Sequence, residues 1–259
     1  MKLAMYQIDA FADRAFTGNP AAVIPLQEWI PDALMQAIAA ENNLSETAFF
    51  VPTAQGFHIR WFTPNKEVKL CGHATLASAF VLFNILAYPA DSIHFDSLSG
   101  PLAVVKNDSL LTLDFPTQKP EPCDIPEALV HGLGKTPSAC YRNEDLVAIF
   151  EQEEDIAAMQ PKFAELEKLN LRGVIITAPS RKNDFVARFF APKFGIPEDP
   201  VTGSAYTQLT PYWAERLGKN KLTAKQLSAR GGMVYCELKG DRVLISGSAI
   251  KFMEGEIEV

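Results

Sequence analysis

The sequence predicts an α+β (α/β) protein built from two similar domains, each with a sheet wrapped around a central helix. Three observations lead to this prediction: an internal repeat, a helix-like segment in each half, and strand-like runs around both. The repeat is the most specific. RWFTP at residues 60–64 is followed by CGHAT at 71–75, and related segments return as RFFAP at 188–192 and VTGSA at 201–205. The arginines are 128 residues apart (188 − 60) and the glycines 131 (203 − 72), so the second copy carries a three-residue insertion.

The first central helix is predicted over residues 74–86, where no side chain is charged. A helix without charge on any face is buried on all sides. It follows Gly72, and strand-like runs lie before and after it. We therefore expect a sheet around this helix, with strands near residues 58–63, 93–95, 102–105 and 110–115.

The second central helix is predicted from Gly203 to about Leu217, where Gly218 supplies a C-terminal stop. Pro211 lies inside this segment and is expected to kink the helix. The architecture is thus duplicated together with the motif, with strands expected near residues 173–177, 185–190, 234–238 and 243–248.

The domain boundary is placed at residues 116–122, where three prolines in seven residues disfavour regular structure. The first predicted domain comprises residues 1–115 together with a C-terminal strand at 250–259. The second comprises residues 116–249.

Composition limits the possible partners. The chain has 259 residues, of which 47% are apolar and 21% charged, as in a globular protein. Its net charge of −7 and its lack of clustered Lys and Arg argue against nucleic acid and anionic membranes as partners. Residues 1–9 alternate like a strand and lack the apolar stretch of a secretory signal, so a cytoplasmic location is expected. The most apolar segment, residues 74–88, is shorter than the ~20 residues that span a bilayer.

The cysteines show no pattern typical of a disulfide framework or a structural metal site. They are scattered without CxxC spacing, and a reducing compartment would keep them as thiols. We expect no metal, and we interpret the last three as packing residues. The four are Cys71, Cys123, Cys140 and Cys236.

Glu46 is the first candidate for chemistry. A helix is predicted over residues 31–42, with proline in its first turn, and a strand over residues 44–51 follows it. The two-residue period places Glu46 on one face with apolar neighbours. Burial there would favour the protonated carboxyl, as suits a group that takes up and returns a proton. The alternatives are a glutamate at a strand edge facing water, or a capping residue.

The two copies of the repeat differ in their reactive side chains. The first offers Cys71 and His73, and the second offers Asp199, Pro200 and Ser204. Each residue also has an ordinary structural interpretation: a histidine can cap a helix, and an aspartate before proline often starts a turn. We therefore treat them as candidates.

Five ordered motifs together resemble the PhzF family of phenazine-biosynthesis-like isomerases. Because they extend over most of the chain, they are more specific than any one of them alone. The resemblance implies a fold similar to diaminopimelate epimerase, with two pseudo-symmetric domains and an active site in the cleft between them. It also implies a homodimer, a small carboxylate-bearing substrate, and proton transfer without any cofactor. The motifs are GNPAAV at 18–23, SETAF at 45–49, RWFTP at 60–64, LCGHAT at 70–75 and EDPVTGSA at 198–205.

The resemblance assigns the catalytic roles to Glu46, His73 and Asp199. Glu46 would remove a proton from an acidic carbon and return it elsewhere. His73 would polarise or protonate a developing carbonyl or enol, and Asp199 would orient an amine or hydroxyl of the substrate.

Four further residues are candidates for substrate binding. Helices that start at Gly72 and Gly203 would direct backbone N–H groups toward a substrate carboxylate, which needs no arginine. Ser204 follows the second of these glycines. Asn19, between Gly18 and Pro20, is first a turn residue and second a candidate ligand contact.

Cys71 leaves the reaction open. Diaminopimelate epimerase uses two thiols, one in each half, but here the corresponding stretch of the second half, residues 198–203, has no cysteine, and its Pro200 cannot take up a proton. Cys71 is either a packing residue that no longer takes part in the reaction, or a second acid/base that acts with Glu46. The second possibility would make the protein a racemase or epimerase. A third possibility, from a different class, is a binding protein that has kept the isomerase scaffold. Arg60 and Arg188 are expected to serve strand packing or interdomain contacts.

Overall fold

The computed structural model describes all 259 residues. The chain divides into two compact units, one formed by Met1–Phe115 with Ile245–Val259 and the other by Pro116–Leu244. The C-terminal segment of the first unit thus starts at Ile245, earlier than the expected residue 250. No helix combines the length and the hydropathy needed to cross a membrane.

The first unit is a mostly antiparallel sheet with strand order β18–β1–β2–β3–β4–β6–β7–β8, in which β2–β3 and β4–β6 are the parallel pairs. The short β5 also pairs with β4. The strands are β1 (Lys2–Ala10), β2 (Asn19–Pro25), β3 (Glu46–Thr53), β4 (Gly56–Phe62), β5 (Glu67–Val68), β6 (Ser92–Asp96), β7 (Leu102–Asn107), β8 (Leu110–Pro116) and β18 (Ala249–Glu258).

The central helix of this unit is α2 (Gly72–Phe80), which continues as a π-helical turn over Val81–Ile85. Every residue from His73 to Ala79 is buried, which confirms the interpretation of the uncharged segment. The helix contacts β1, β2, β3, β7 and β18, so the sheet surrounds it. The wider π turn, which sequence reasoning did not predict, ends the helix near Ile85.

The helix α1 (Asp32–Asn42) confirms the prediction over residues 31–42. It ends because Asn43 adopts the left-handed conformation (φ 48°) and donates its N–H to the Ala39 carbonyl. Met35 and Ile38 lie on its buried face and pack in the same apolar cluster as Phe49.

The turn before β2 is formed by Gly18 and not by Asn19, which is already the first strand residue. Gly18 has φ +70°, and a Cβ there would lie 2.2 Å from the Ala10 carbonyl oxygen, so only glycine fits. Asn19 therefore enters the sheet fully buried, which corrects its interpretation as a turn residue.

The second unit has strand order β9–β10–β11–β12–β13–β15–β16, with β14 also on β13 and with β11–β12 and β13–β15 parallel. The strands are β9 (Glu121–Pro122), β10 (Ala139–Arg142), β11 (Leu146–Ile149), β12 (Val174–Pro179), β13 (Phe185–Ala191), β14 (Ile196–Asp199), β15 (Lys221–Gln226), β16 (Gly232–Lys239) and β17 (Arg242–Gly247), whose end passes into the first unit. The helices are α3 (Glu127–Leu133), α4 (Glu153–Ala158), α5 (Phe163–Leu166) and α6 (Tyr206–Leu217), with 3₁₀ turns at Pro192–Phe194 and Gly203–Ala205.

The central helix α6 contains Pro211, which cannot donate to the carbonyl of Thr207 one turn earlier. That carbonyl instead accepts the backbone N–H of Gln118 at 3.1 Å. The proline-rich segment is thereby tied to the helix. Gly218 (φ 65°) ends α6 as predicted.

The duplicated arginines have the same role in each unit. Arg60 donates two hydrogen bonds to Glu67, at 2.7 and 2.8 Å. Arg188 does the same to Glu198, at 2.7 and 2.9 Å. The partners lie 7 and 10 residues further along the chain, a difference of three that matches the insertion. Each arginine thus links the strand that carries it to the short strand that follows. That short strand precedes the glycine where the helical segment begins.

Strand register fixes which residues of the two units are equivalent. Phe62 and Phe190 are corresponding residues of the repeat, and they pair with Thr47 and Val174 respectively. The residue before Thr47 is Glu46, and the residue before Val174 is Gly173. Only the first unit therefore carries a carboxylate at this position.

Candidate active site

Glu46 and His73 meet at the start of the central helix in the first unit. Glu46 is the first residue of β3 and His73 the second residue of α2. Glu46 Oε2 lies 3.2 Å from His73 Nε2. Their residues are only 9% and 5% exposed, so Glu46 is not a strand-edge residue facing water.

These two atoms have no hydrogen-bond partner of good geometry, although they are buried and face each other. Buried polar atoms in folded proteins are nearly always hydrogen-bonded. Two adjacent exceptions mark a place where a ligand could complete the bonding. This is the main chemical feature of the first unit.

The other imidazole nitrogen, Nδ1, has two neighbours. Asn19 Nδ2 lies 3.2 Å away and Cys71 Sγ lies 3.5 Å away. The amide donates to Nδ1 when the ring is neutral, and the sulfur can accept from Nδ1–H when the ring is charged. Ser45 donates to Asn19 Oδ1 at 3.4 Å. The histidine is thereby held in either protonation state with Nε2 directed at Glu46.

Burial and charge act in opposite directions on His73. Burial lowers its pKa, but the charges of Cys71 and Glu46 and the contact of Cys71 with Nδ1 outweigh burial and raise the pKa well above the ordinary 6.5. Burial, followed by the charge of Glu46, raises the pKa of Cys71 to about 11. Because the thiol is neutral at physiological pH, Glu46 is the charge that favours the imidazolium there.

Glu46, Cys71 and His73 also offer three possible metal-ligand atoms within 4.8 Å of one another. A metal takes cysteine as the thiolate. Metal binding here would therefore have to displace the proton that the raised pKa of Cys71 retains at neutral pH.

The start of α2 completes this half of the site. Cys71 is its N-cap residue, in extended conformation, and makes no side-chain capping bond. The first backbone amides of a helix have no partner in a preceding turn. Gly72 and His73 lie in this first turn, and the His73 side chain reaches the Glu46 carboxylate.

In the second unit, Asp199 lies at the end of β14 and is 8% exposed. Its carboxylate accepts a hydrogen bond from the Thr202 hydroxyl. The buried side chain of Gln226 holds this loop at both ends, because it donates to the Asp199 carbonyl at 2.8 Å and accepts from the Thr202 N–H at 3.0 Å. Sequence reasoning missed both Thr202 and Gln226.

Gly203 and Ser204 form the 3₁₀ turn that leads into α6. Arg172 NH1 donates to Ser204 Oγ at 3.0 Å. Arg172 therefore lies against this turn, where the sequence led us to expect backbone N–H groups without any arginine. The position of Arg172 in the repeat could have pointed to it. Arg172 precedes Gly173, the residue equivalent to Glu46, and is therefore the counterpart of Ser45.

In each unit, a sheet around a central helix with a candidate group at the helix start defines a fold of the diaminopimelate epimerase-like class. A hydroxyproline epimerase from Agrobacterium vitis shares this fold, with a TM-score of 0.64 at 8% identity over 99% of this chain and 92% of that chain.

The chain belongs to the family of phenazine biosynthesis-like proteins (PhzC-PhzF), whose model matches residues 8–255. It is 49% identical over 259 residues to an uncharacterized isomerase of Pseudomonas aeruginosa, with full coverage of both. A crystal structure of a PhzF family protein from Enterococcus faecalis has a TM-score of 0.98 at 48% identity, also with full coverage of both chains. The protein is thus an isomerase of the PhzF type.

Proposed function

We propose that the protein is a cofactor-independent isomerase that moves a proton within a small carboxylate-bearing substrate, with Glu46 as the acid/base. One observation carries the proposal: Glu46 Oε2 and His73 Nε2 are buried side by side without hydrogen-bond partners. Such a pair joins a proton acceptor to a proton donor within reach of one ligand.

The proton balance is simple. Glu46 takes a proton from an acidic carbon of the substrate, and the electron pair left behind delocalises toward an oxygen. His73 donates a hydrogen bond from Nε2–H to that oxygen, keeps its proton and stabilises the developing charge. Glu46 then returns the proton to a different carbon, so that the enzyme ends in its starting state.

Substrate binding is assigned to the two helix starts. Gly72 and Gly203 offer backbone N–H groups for a carboxylate, and Ser204 offers a hydroxyl. Asp199 accepts a hydrogen bond from an amine or hydroxyl of the substrate. In this proposal Asn19 acts by holding His73, because its amide is directed at the ring.

A racemase that uses Cys71 with Glu46 is the less well supported alternative. Two groups on opposite faces of one carbon stand about 6–7 Å apart, which is twice the ~3–3.5 Å of a reacting contact. The Glu46 carboxylate oxygen and Cys71 Sγ lie within 4.8 Å of each other, which leaves too little room for a substrate carbon between them. The thiol faces His73 Nδ1, so we assign it to positioning the ring.

The test is incorporation of deuterium from solvent. The protein is incubated in D₂O with a panel of small cyclic and amino-acid carboxylates that includes a dihydro-hydroxyanthranilate, and label is detected by mass spectrometry. We expect label in at least one compound, abolished in Glu46→Gln and retained in Glu41→Gln, whose side chain is exposed on α1. Label in no compound would favour the third possibility, a binding protein on the isomerase scaffold.

We also propose that the protein is a cytoplasmic homodimer; the resemblance to the family supports the dimer. Sedimentation equilibrium would give a mass of twice the 28.5 kDa chain. A mass equal to one chain at micromolar concentration would contradict the dimer.

A further inference from the structure

Arg172 is a charged residue that contacts the candidate anion site of the second unit. By register it corresponds to Ser45, and Ser204 corresponds to His73 by the repeat. The counterpart of Glu46 is Gly173, which follows Arg172. The second unit therefore has a hydroxyl in place of the imidazole, and a guanidinium next to the position where the first unit has its carboxylate.

A buried network fixes the guanidinium. Arg172 Nε donates to Asp145 Oδ1 at 2.9 Å, and Arg172 NH2 donates to Asp145 Oδ2. Asp145 is fully buried and also accepts from Gln208 Nε2 at 2.7 Å. Glu144 lies 3.5 Å from Arg172 Nε. The positive charge is thus balanced within the unit, and the main effect of Arg172 on its surroundings is to direct a hydrogen bond.

That directed bond determines what Ser204 can do. A hydroxyl has one hydrogen to donate and two lone pairs that accept. Arg172 NH1 occupies a lone pair of Ser204 Oγ. The hydroxyl hydrogen is then available to an acceptor, and the polarised O–H is a better donor to an anion than to a neutral group. Both side chains are partly exposed, so a small ligand can reach them.

We propose that Arg172 is a positioning residue that makes the Ser204 hydroxyl a hydrogen-bond donor to the carboxylate of the substrate and so selects anionic over neutral compounds. The role rests on the proposed function, because it presupposes that the substrate carries a carboxylate.

The experiment compares two probes of nearly the same size and shape, anthranilate, which carries a carboxylate, and 2-aminobenzamide, which carries a neutral carboxamide in its place. Their affinities are measured by calorimetry for the wild type, for Ser204→Ala, and for the double variant Arg172→Gln with Asp145→Asn. The double variant removes both charges together, so that no buried carboxylate is left unpaired. Circular dichroism and thermal unfolding check that each variant is folded.

We expect the wild type to prefer anthranilate. Ser204→Ala should weaken anthranilate binding by about tenfold, as for the loss of a charge-assisted hydrogen bond, and change 2-aminobenzamide binding much less. The double variant should show a similar loss, and adding Ser204→Ala to it should cause little further change. Arg188→Lys is the matched control, since it alters a buried arginine of the same unit that does not contact Ser204.

Three results would overturn the proposal. The first is no preference for anthranilate in the wild type, and the second is an equal loss of affinity for both probes in the variants. The third is that the losses of affinity from Ser204→Ala and from the double variant simply add when the changes are combined. Because binding needs no turnover, such a failure would leave the deuterium result unaffected. Loss of labelling with the preference for anthranilate intact would contradict the proposed isomerase and leave the role of Arg172 standing.

Discussion

Gly173 occupies in the second unit the strand position that Glu46 occupies in the first. The equivalence follows from register, because the next residues, Val174 and Thr47, pair with the corresponding phenylalanines of the repeat. A Cβ at Gly173 would lie 2.3 Å from Cζ of Phe189. The second unit thus excludes any side chain at the position of Glu46, so the proposed mechanism confines proton transfer by a carboxylate to the first unit.

Gly173→Ala is therefore expected to destabilise the protein by about 1–3 kcal/mol through overpacking against Phe189. Denaturant unfolding measures the change. Gly255→Ala is the control, because a Cβ there meets only Met253 Sδ at the ordinary distance of 3.6 Å. Equal stabilities of the two variants would show that Phe189 moves aside without cost.

Glu46→Gln is expected to lower the pKa of His73, because it removes the charge that favours the imidazolium at neutral pH. The ring nitrogen shifts followed by NMR as a function of pH measure this pKa. The protein has four histidines, so comparison with His73→Gln assigns the resonance. An unchanged pKa would contradict the coupling of Glu46 to His73.

The same coupling predicts how stability depends on pH. A histidine whose pKa rises on folding contributes stability that is fully present below the unfolded value of about 6.5 and is lost as pH rises through the folded pKa. The wild type should therefore lose stability relative to Glu46→Gln above about pH 6.5. A constant difference between the two unfolding free energies from pH 5 to 9 would contradict this.

Arg188→Lys is expected to cost more stability than Arg60→Lys. Both variants keep the charge and lose the two-bond contact with glutamate. Arg188 NH1 also donates to the carbonyls of Ile156 and Met159, at 3.0 and 2.7 Å, and a lysine leaves at least one of them unpaired. We expect about 1–3 kcal/mol of additional loss, from denaturant unfolding of both variants. A larger loss of stability in Arg60→Lys would show that the hydrogen bond from Arg60 to Asp32 contributes more than the two carbonyl contacts of Arg188.

The sequence predicted the first half of the site better than the second for a physical reason. His73 lies in a short motif and Glu46 in a strand, and both patterns are local. The contacts of Arg172 with Asp145 and Ser204 join residues 27 and 32 positions apart, and Gln226 reaches Asp199 across 27. No periodicity encodes such contacts, which depend on the folded sheet.

Cys71→Ala is expected to leave deuterium incorporation essentially intact, because Asn19 Nδ2 still holds the His73 ring at Nδ1. The thiol is 6% exposed, its pKa is raised to about 11 by burial and by Glu46, and its sulfur faces the imidazole. It therefore stays protonated at neutral pH, and native protein should also resist alkylation at Cys71 by iodoacetamide, as peptide mapping can show. Cys236→Ala is the matched control, since it removes a buried thiol of the second unit and leaves a comparable cavity. If Cys71→Ala abolished labelling while Cys236→Ala retained it, with both variants folded, the thiol would be an acid/base and the reaction an epimerisation.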